Sequence, residues 1–180
     1  MTRFVLVLAA LLVASPAFAN ADVYLLRGGF DVFSNGLDDL AGKLRRRGVK
    51  AKSIGYARWR DAVGEIRRSG RKRVVLVGHS WGANAAVRMA RELQRHGVRV
   101  SYLGTFAATG PSSVPSNVRR VRNYYQSNGW GKPLRPEQGF RGRIDNRDVR
   151  GARGVGHYNI EKQATFHKRM TRDILRALGR

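Results

Sequence analysis

One short segment restricts the fold of this chain more than any other, namely Val74-Val75-Leu76-Val77-Gly78-His79-Ser80-Trp81-Gly82-Ala83. It predicts a buried strand, a sharp turn that carries Gly-x-Ser-x-Gly, and then a helix rich in alanine. In such a turn the serine has a strained backbone, and its hydroxyl points beyond the end of the strand. Gly78 and Gly82 permit the close approach of strand and helix. The segment therefore predicts a nucleophile at Ser80, beside helical N–H groups that can stabilise an oxyanion.

The N-terminal residues have the pattern of a secretory signal peptide. Arg3 supplies a positive charge, residues 4–14 form an apolar run, and Ala17-Phe18-Ala19 provides small residues for cleavage. An uncleaved membrane anchor is disfavoured because the run falls short of the ~20 residues that span a bilayer. We predict that residues 1–19 are a signal peptide cleaved after Ala19, with Ala21 as the second choice. The mature chain, residues 20–180, is then one periplasmic or secreted domain.

The composition of the chain limits its chemistry and suggests its partners. The sequence has no cysteine, which excludes disulfides, a cysteine nucleophile and thiolate metal sites. Its 35 Lys+Arg against 12 Asp+Glu give a formal charge of +23. Such a surface attracts anionic membranes or acidic envelope polymers. The arginine-rich composition of proteins from GC-rich genomes explains the charge equally well. The basic clusters predict two basic poles, the larger away from Ser80 and the smaller near residues 141–153.

Apolar segments of strand and helix type alternate along the mature chain. We predict strands at 23–27, 49–56, 73–77, 98–106, 118–126 and 143–149, with helices between several of them. Gly48, Gly70 and Gly97 are predicted to end helices, and Asn159 to cap the last one. This order predicts an α/β three-layer sandwich with a mostly parallel sheet, whose ligand site lies at the carboxyl ends of the strands.

A serine nucleophile needs a base, and histidine is the usual one. Of the four histidines, His157 follows a glycine-rich loop, precedes the last helix, and comes after Ser80 in the chain. The other three fit structural roles better, inside the turn (His79), near a helix C-terminus (His96) and on the apolar face of the last helix (His167). His157 is therefore the predicted base.

The remaining parts of the predicted site are an acid and an oxyanion hole. Asp148 is the first choice for the carboxylate that orients His157 and Asp145 is the alternative, unless both pair with nearby arginines. The oxyanion donors are predicted to be the amide of Trp81 and an amide of the glycine loop after the first strand, at Gly29 or Phe30.

Three segments together carry a family resemblance: Gly78-His79-Ser80-Trp81-Gly82, Gly28-Gly29, and Gly156-His157-Tyr158-Asn159-Ile160. With them the mature chain resembles a compact bacterial α/β-hydrolase of the esterase, lipase or thioesterase kind. The resemblance implies a minimal fold without a large cap. Members of that family place the acid after a strand just beyond the nucleophile strand, where this chain has no carboxylate. Three alternatives follow. Asp145 or Asp148 takes the place of the family's acid, or the enzyme works with a Ser–His dyad, or the chain has lost activity.

The resemblance implies an exported serine hydrolase that cleaves carboxylic ester or thioester bonds through an acyl-enzyme. The substrate is expected to be a small ester or one presented on a surface. The alternative is a non-catalytic protein of the same fold that binds anionic envelope polymers or membrane surfaces. No dinucleotide loop, P-loop or metal-ligand cluster is present in the sequence. We therefore expect no cofactor and no metal, and no nucleic acid as a partner.

Overall fold

A computed structural model describes residues 22–29, 34–110 and 113–180 of the chain. The predicted signal peptide, both of its cleavage positions and Phe30 lie outside the described residues.

The described chain alternates strands and helices. Its elements are β1 (Val23–Arg27), α1 (Asn35–Arg45), β2 (Ala51–Gly55), α2 (Trp59–Arg68), β3 (Arg73–His79), α3 (Trp81–Arg95), β4 (Arg99–Phe106), β5 (Ser113–Val114), β6 (Arg120–Tyr125), β7 (Arg135–Pro136), β8 (Arg143–Asp148) and α4 (Ala164–Ala177), with 3-10 turns at Tyr56–Arg58 and Ile160–Lys162. The six predicted strands are present, with ends shifted by a few residues.

The main sheet has six strands in the order β2-β1-β3-β4-β6-β8, and every neighbouring pair is parallel. β5 and β7 form a separate parallel pair of two residues each, which the sequence patterns did not predict. Strand order reverses direction at β1 and β3, so the ends of these two central strands flank a crevice that suits a ligand. The predicted α/β sandwich with a mostly parallel sheet is confirmed.

Helices cover both faces of the sheet. Alternate residues of β3 show the division, since Val74 and Leu76 pack with α2 and α3, whereas Val75 and Val77 pack with α1 and α4. All four side chains are fully buried. A strand buried on both faces reads as a continuous apolar run, which is why residues 74–77 carry no polar alternation.

Glycine ends three of the helices, as predicted. Gly48, Gly70 and Gly97 have φ values of 71°, 68° and 67°, in the left-handed region that glycine adopts without a steric cost. The prediction for Asn159 is corrected, because α4 begins at Ala164, after the second 3-10 turn. The Asn159 side chain instead bonds the histidine loop, accepting from the Gly156 amide at 2.7 Å and donating to the Gly154 carbonyl at 2.9 Å.

Four strands of the parallel sheet begin with arginine. These are Arg73, Arg99, Arg120 and Arg143, at the starts of β3, β4, β6 and β8. The strands are parallel, so these arginines lie together at the end of the sheet where the strands begin. The end of β3 that leads into Ser80 lies at the opposite end of the sheet. None of the helices in the described part of the chain is long and apolar enough to cross a membrane.

Candidate active site

Ser80 stands between β3 and α3 in a strained backbone conformation. Its φ of 54° and ψ of −120° lie outside the regions that residues other than glycine usually adopt. The turn is possible because two glycines let the backbones touch. A Cβ on Gly78 would lie 2.4 Å from the Gly82 carbonyl oxygen, and a Cβ on Gly82 would lie 2.0 Å from the carbonyl oxygen of Leu26. This is the geometry expected of a nucleophile elbow.

The structure brings His157 to the serine. Its Nε2 lies 3.0 Å from Ser80 Oγ, within hydrogen-bond distance for a base and its nucleophile. Partial burial lowers the pKa of His157 below its usual range, so the ring is neutral at neutral pH. For Nε2 to accept the serine proton, the hydrogen of the neutral ring must be on Nδ1. His157 Nδ1 is buried and has no hydrogen-bond partner among the described residues.

Aromatic side chains surround the His157 ring. The ring centroids of Trp130 and Tyr158 lie 5.0 and 5.3 Å from that of His157, and the two aromatic rings also meet edge to face. Trp130 is 61 % exposed and Tyr158 is 52 % exposed, so both line the outer rim of the site. Trp81, the residue after Ser80, is 47 % exposed and packs edge-on against Tyr56. These exposed aromatic side chains form a rim around the Ser80–His157 pair, while Ser80 itself is only 8 % exposed.

His79 connects the strand, the glycine loop and the histidine loop by hydrogen bonds. Its Nε2 lies 2.8 Å from the carbonyl oxygen of His157, which can only accept, so Nε2 carries the proton. Its Nδ1 then accepts from Ser34 Oγ at 2.8 Å, and Ser34 Oγ accepts from the Gly28 amide at 2.8 Å. Burial lowers the pKa of His79 to about 4. The neutral His79 ring, which directly precedes Ser80 in the chain, therefore holds the backbone of the predicted base His157.

The structure does not bring either predicted acid to His157. Asp148 accepts hydrogen bonds from the hydroxyl and amide of Ser127, at 2.6 and 3.2 Å, and from the Arg150 amide. The Ser127 hydroxyl is the main reason that the pKa of Asp148 is lowered. The expectation that Asp148 orients His157 is therefore corrected, because its oxygens bond groups of the loops that follow β6 and β8.

Asp145, the alternative acid, is also engaged elsewhere. One oxygen lies 2.9 Å from Arg122 Nη1 and the other 2.6 Å from Arg147 Nε. Asp145 lies inside β8 rather than at its end, and its partner Arg122 also binds Asp173 of α4. Both acids thus pair with arginines, the alternative to a catalytic role that the sequence left open.

Glu161 is a carboxylate near the site that sequence reasoning missed. It follows His157 by one turn and is fully buried, and its Oε2 lies 3.9 Å from His79 Nε2. The chain order of the resembled family places the acid between Ser80 and His157, and Glu161 lies beyond that interval. The sequence signal that could have identified Glu161 is the pattern His-x-x-x-Glu, which places both side chains near each other if a helical turn follows the loop.

The predicted oxyanion donors are placed in part. Trp81 is the first residue of α3, where helical N–H groups have no acceptor within the helix. Gly29 lies against it, since a Cβ on Gly29 would be 2.9 Å from Cε3 of the Trp81 ring. Gly29 and Trp81 therefore sit side by side at the carboxyl ends of β1 and β3. Phe30 lies outside the described residues.

The two other histidines have structural partners. His96 bonds Glu92 at 3.2 Å, one helical turn earlier. His167 is buried, and its two ring nitrogens contact Lys43 Nζ at 2.9 Å and the Glu161 carbonyl at 2.5 Å. Within residues 22–29, 34–110 and 113–180, no group of three His, Asp or Glu side chains could hold a metal ion.

The sequence also matches a family model. The family described as the alpha/beta hydrolase family matches residues 29–173, a span that includes Gly29, Ser80 and His157. No curated protein matches the chain.

Solved structures with low sequence identity share the fold. A protein from Xanthomonas campestris described as a hydrolase of the alpha/beta superfamily is 16% identical, covering 89% of this chain and 99% of its own, with a TM-score of 0.52. A gene product from Listeria innocua is 11% identical over 83% and 92%, with a TM-score of 0.57. The NocB thioesterase domain, solved as a covalent complex with a fluorophosphonate nocardicin G analogue, is 13% identical over 90% and 96%, with a TM-score of 0.54. At these identities the likeness concerns the fold.

Proposed function

Because the chain belongs to the alpha/beta hydrolase family, we propose that it is an exported serine hydrolase that cleaves carboxylic ester or thioester bonds. The observation that carries the proposal is the contact between Ser80 Oγ and His157 Nε2 at 3.0 Å, at a strained turn with a φ of 54°. A serine held in this way against a neutral imidazole has the arrangement of an activated nucleophile.

The proposed reaction has two steps. Ser80 Oγ attacks the carbonyl carbon while its proton passes to His157 Nε2, and the imidazolium then protonates the leaving alcohol or thiol. Water, deprotonated by the same Nε2, next attacks the acyl-serine and releases the acid. The lowered pKa of His157 keeps its ring neutral and ready to accept the first proton.

The oxyanion of each tetrahedral intermediate needs donors that are already in place. The Trp81 amide at the start of α3 and the Gly29 loop are supported as donors by their adjacency at the carboxyl ends of β3 and β1. Phe30 remains part of this proposal as the next amide of that loop.

The rim of the site supports a small or surface-presented ester as substrate. Trp130, Tyr158 and Trp81 are each about half exposed, and they offer flat apolar surfaces next to His157 and Ser80. An exposed rim of this kind binds short acyl or aryl groups by partial burial, but it does not enclose a long chain.

Covalent labelling tests the proposal. Mature wild-type protein is incubated with a fluorophosphonate probe beside Ser80→Ala and His157→Ala, with Ser116→Ala and His96→Ala as controls of the same residue types. We expect labelling of the wild type and both controls, none of Ser80→Ala, and a rate lower by at least about 10³-fold for His157→Ala. Labelling of Ser80→Ala, or no labelling of folded wild-type protein, would overturn the proposal.

The leaving group is tested with matched substrates. One acyl group is offered as an oxygen ester and as a thioester, over chain lengths from two to about twelve carbons. We expect turnover to decline for the longer chains, because the rim leaves them exposed to water.

Export is a separate proposal that rests on the first 19 residues. Expression of the full chain in a bacterium should give a protein that begins at Asn20, or at Asp22 if cleavage follows Ala21. Intact-mass measurement of the periplasmic and culture fractions decides this. Retention of residues 1–19 on a cytoplasmic protein would overturn it.

A second candidate activity, binding of an acidic envelope polymer, is favoured by three basic grooves, two of which lie where the strands of the sheet begin. The first, about 720 Å³ between α1 and α4, is lined by basic residues. These are Lys43, Arg46, Arg47, Lys168, Arg172, Arg176 and Arg180. Arg180 also lines the second groove, which shares Arg73 and Arg99 with the third. The grooves thus adjoin one another, which suits a chain with repeated negative charges.

Binding is tested with long-chain polyphosphate as the probe. Arg46, Arg47, Arg172 and Arg176 are all changed to Gln, and the control changes Arg60, Arg67, Arg68 and Arg153, which removes the same charge. We expect the groove variant to bind at least about tenfold more weakly with a shallower salt dependence, while the control stays near wild type. Equal losses in both variants would mean that net charge alone is responsible. Vesicles that contain phosphatidylglycerol, if bound as tightly, would favour a membrane surface.

A further inference from the structure

Glu161 is a buried carboxylate without a hydrogen-bond partner. Its side chain is fully buried, and neither Oε1 nor Oε2 has a hydrogen bond among the described residues. The amides of Gly36 and of Glu161 itself face the carboxylate and lower its pKa, but neither meets the geometry of a hydrogen bond. An orphaned carboxylate is an expensive feature in a protein core, and a neutral side chain of similar size would be more stable there.

The catalytic pair lacks the complementary group. His157 Nδ1 carries the proton when Nε2 accepts from Ser80, yet this buried nitrogen has no acceptor among the described residues. Asp145 and Asp148 are engaged with Arg122, Arg147, Ser127 and Arg150. Near the site, an unsatisfied donor and an unsatisfied carboxylate therefore remain on the same loop, four residues apart.

His79 connects the two. Its Nε2–H donates to the His157 carbonyl at 2.8 Å, and the same nitrogen lies 3.9 Å from Glu161 Oε2. The carboxylate and the peptide group of His157 thus face the same edge of one imidazole ring. Burial excludes water from this cluster, so a charge on Glu161 acts on His157 with little screening.

We propose that Glu161 is the carboxylate that stabilises the His157 imidazolium, acting across the His79 ring as a positioning residue. The proposal rests on the Ser80–His157 chemistry proposed above. In the acylation step the proton moves from Ser80 Oγ to His157 Nε2, and Glu161 stays ionised throughout. The positive charge that forms on His157 is then balanced by a negative charge that was already present.

The charged groups around Glu161 fix its pH behaviour. Burial raises the pKa of Glu161 to about 7, while Lys162 lowers it. His79 is neutral in this range, and the other facing groups are His167, bonded to the Glu161 carbonyl, and Lys43, bonded to His167. The carboxylate is therefore ionised only above neutral pH, and labelling of Ser80 should accelerate as the pH passes through that range.

The test compares Glu161→Gln with Asp148→Asn and Asp145→Asn, each removing one carboxylate with little change of shape. The readout is the fluorophosphonate labelling rate from pH 5 to 9. At pH 8 we expect Glu161→Gln to be about 10- to 100-fold slower, less than the loss of a triad acid in direct contact. The two controls should stay within about twofold. With an ester substrate kcat should fall while KM is unchanged.

The pH profile separates a catalytic from a structural role. In the wild type the labelling rate should rise with pH around a midpoint near 7. In Glu161→Gln this midpoint should move to lower pH, because the carboxylate no longer titrates and no longer stabilises the His157 cation. NMR titration should show a lower pKa for His157 in this variant, independent of any labelling. An unchanged rate, midpoint and His157 pKa would overturn the inference, as would a slow Asp148→Asn with a normal Glu161→Gln. Wild-type protein that is not labelled at Ser80 would instead overturn the proposed function.

Discussion

His79 Nε2 donates a hydrogen bond to the carbonyl oxygen of His157 at 2.8 Å. The residue before the nucleophile therefore holds the backbone of the base, 78 positions later in the chain. Through Ser34 the same ring reaches the Gly28 amide, so the loop after β1 is part of the same network. A displacement of any one of these three loops would therefore alter the 3.0 Å contact between His157 Nε2 and Ser80 Oγ.

Replacement of His79 by Gln should slow the labelling of Ser80. The substitution shifts or breaks the bond to the His157 carbonyl, and a displacement of the base by about 1 Å is enough to cost up to 10²-fold in rate. His96→Gln, which alters a bond to Glu92 within α3, is the matched control and should label normally. A normal rate in a folded His79→Gln protein would show that the network does not position the base.

Substitution of Trp130 by Ala should raise the pKa of His157. The Trp130 ring lies 5.0 Å from the His157 ring, and burial is what lowers the pKa of His157. Admission of water lets the pKa return toward its usual value, and NMR titration of the His157 ring measures the increase. Trp130→Phe keeps a ring and should retain the wild-type pKa of His157. A lower pKa of His157 in Trp130→Ala would contradict this account.

A methyl group at Gly82 should destabilise the protein strongly. The new Cβ would lie 2.0 Å from the Leu26 carbonyl oxygen and 2.5 Å from that of Arg27, and both are backbone atoms of β1. We expect a loss of at least about 3 kcal/mol in the free energy of unfolding, measured by urea denaturation. At Gly151 nothing lies within 4 Å of the added Cβ, and Gly151→Ala should be nearly neutral. Similar stabilities of the two variants would contradict the close approach of α3 to β1.

Replacement of Glu161 by Gln should stabilise the protein at pH 8 but much less at pH 4.5. Burial raises the pKa of Glu161 from its usual 4.5 to about 7. Between these values the unfolded chain releases this proton and the native protein keeps it, so wild-type stability falls as the pH rises. The stability gained by the variant should therefore grow across that window by roughly 2–3 kcal/mol. Urea denaturation at both pH values measures it; a gain that is independent of pH would contradict the burial of a charge.

The sequence carried enough information for the sheet and the elbow. Residues 74–77 are apolar on both faces and Gly78 and Gly82 flank Ser80, so the strand, the turn and the helix follow from local rules. Gly48, Gly70 and Gly97 end helices because a positive φ there is easy for glycine. Each of these features depends on neighbours in the chain, which a pattern can reveal.

The acid could not be found in the same way. Asp148 stands at the end of β8, where such a residue is expected, but its oxygens are taken by Ser127 and Arg150 in the adjacent loop. Glu161 looks like an ordinary polar residue before a helix, but in the fold α1 packs against the second 3-10 turn and His79 lies beside the carboxylate, which is fully buried. Burial of a single charged side chain is a property of the tertiary structure.

Because all six strands of the main sheet run in the same direction, their starts and their carboxyl ends lie at opposite ends of the molecule. Two of the arginine-lined grooves lie where the strands begin, and Ser80 lies where β3 ends. A molecule that rests with its grooves on a negatively charged layer turns its aromatic rim toward the surrounding liquid. In that orientation it would act on compounds that arrive by diffusion and leave the layer beneath it intact.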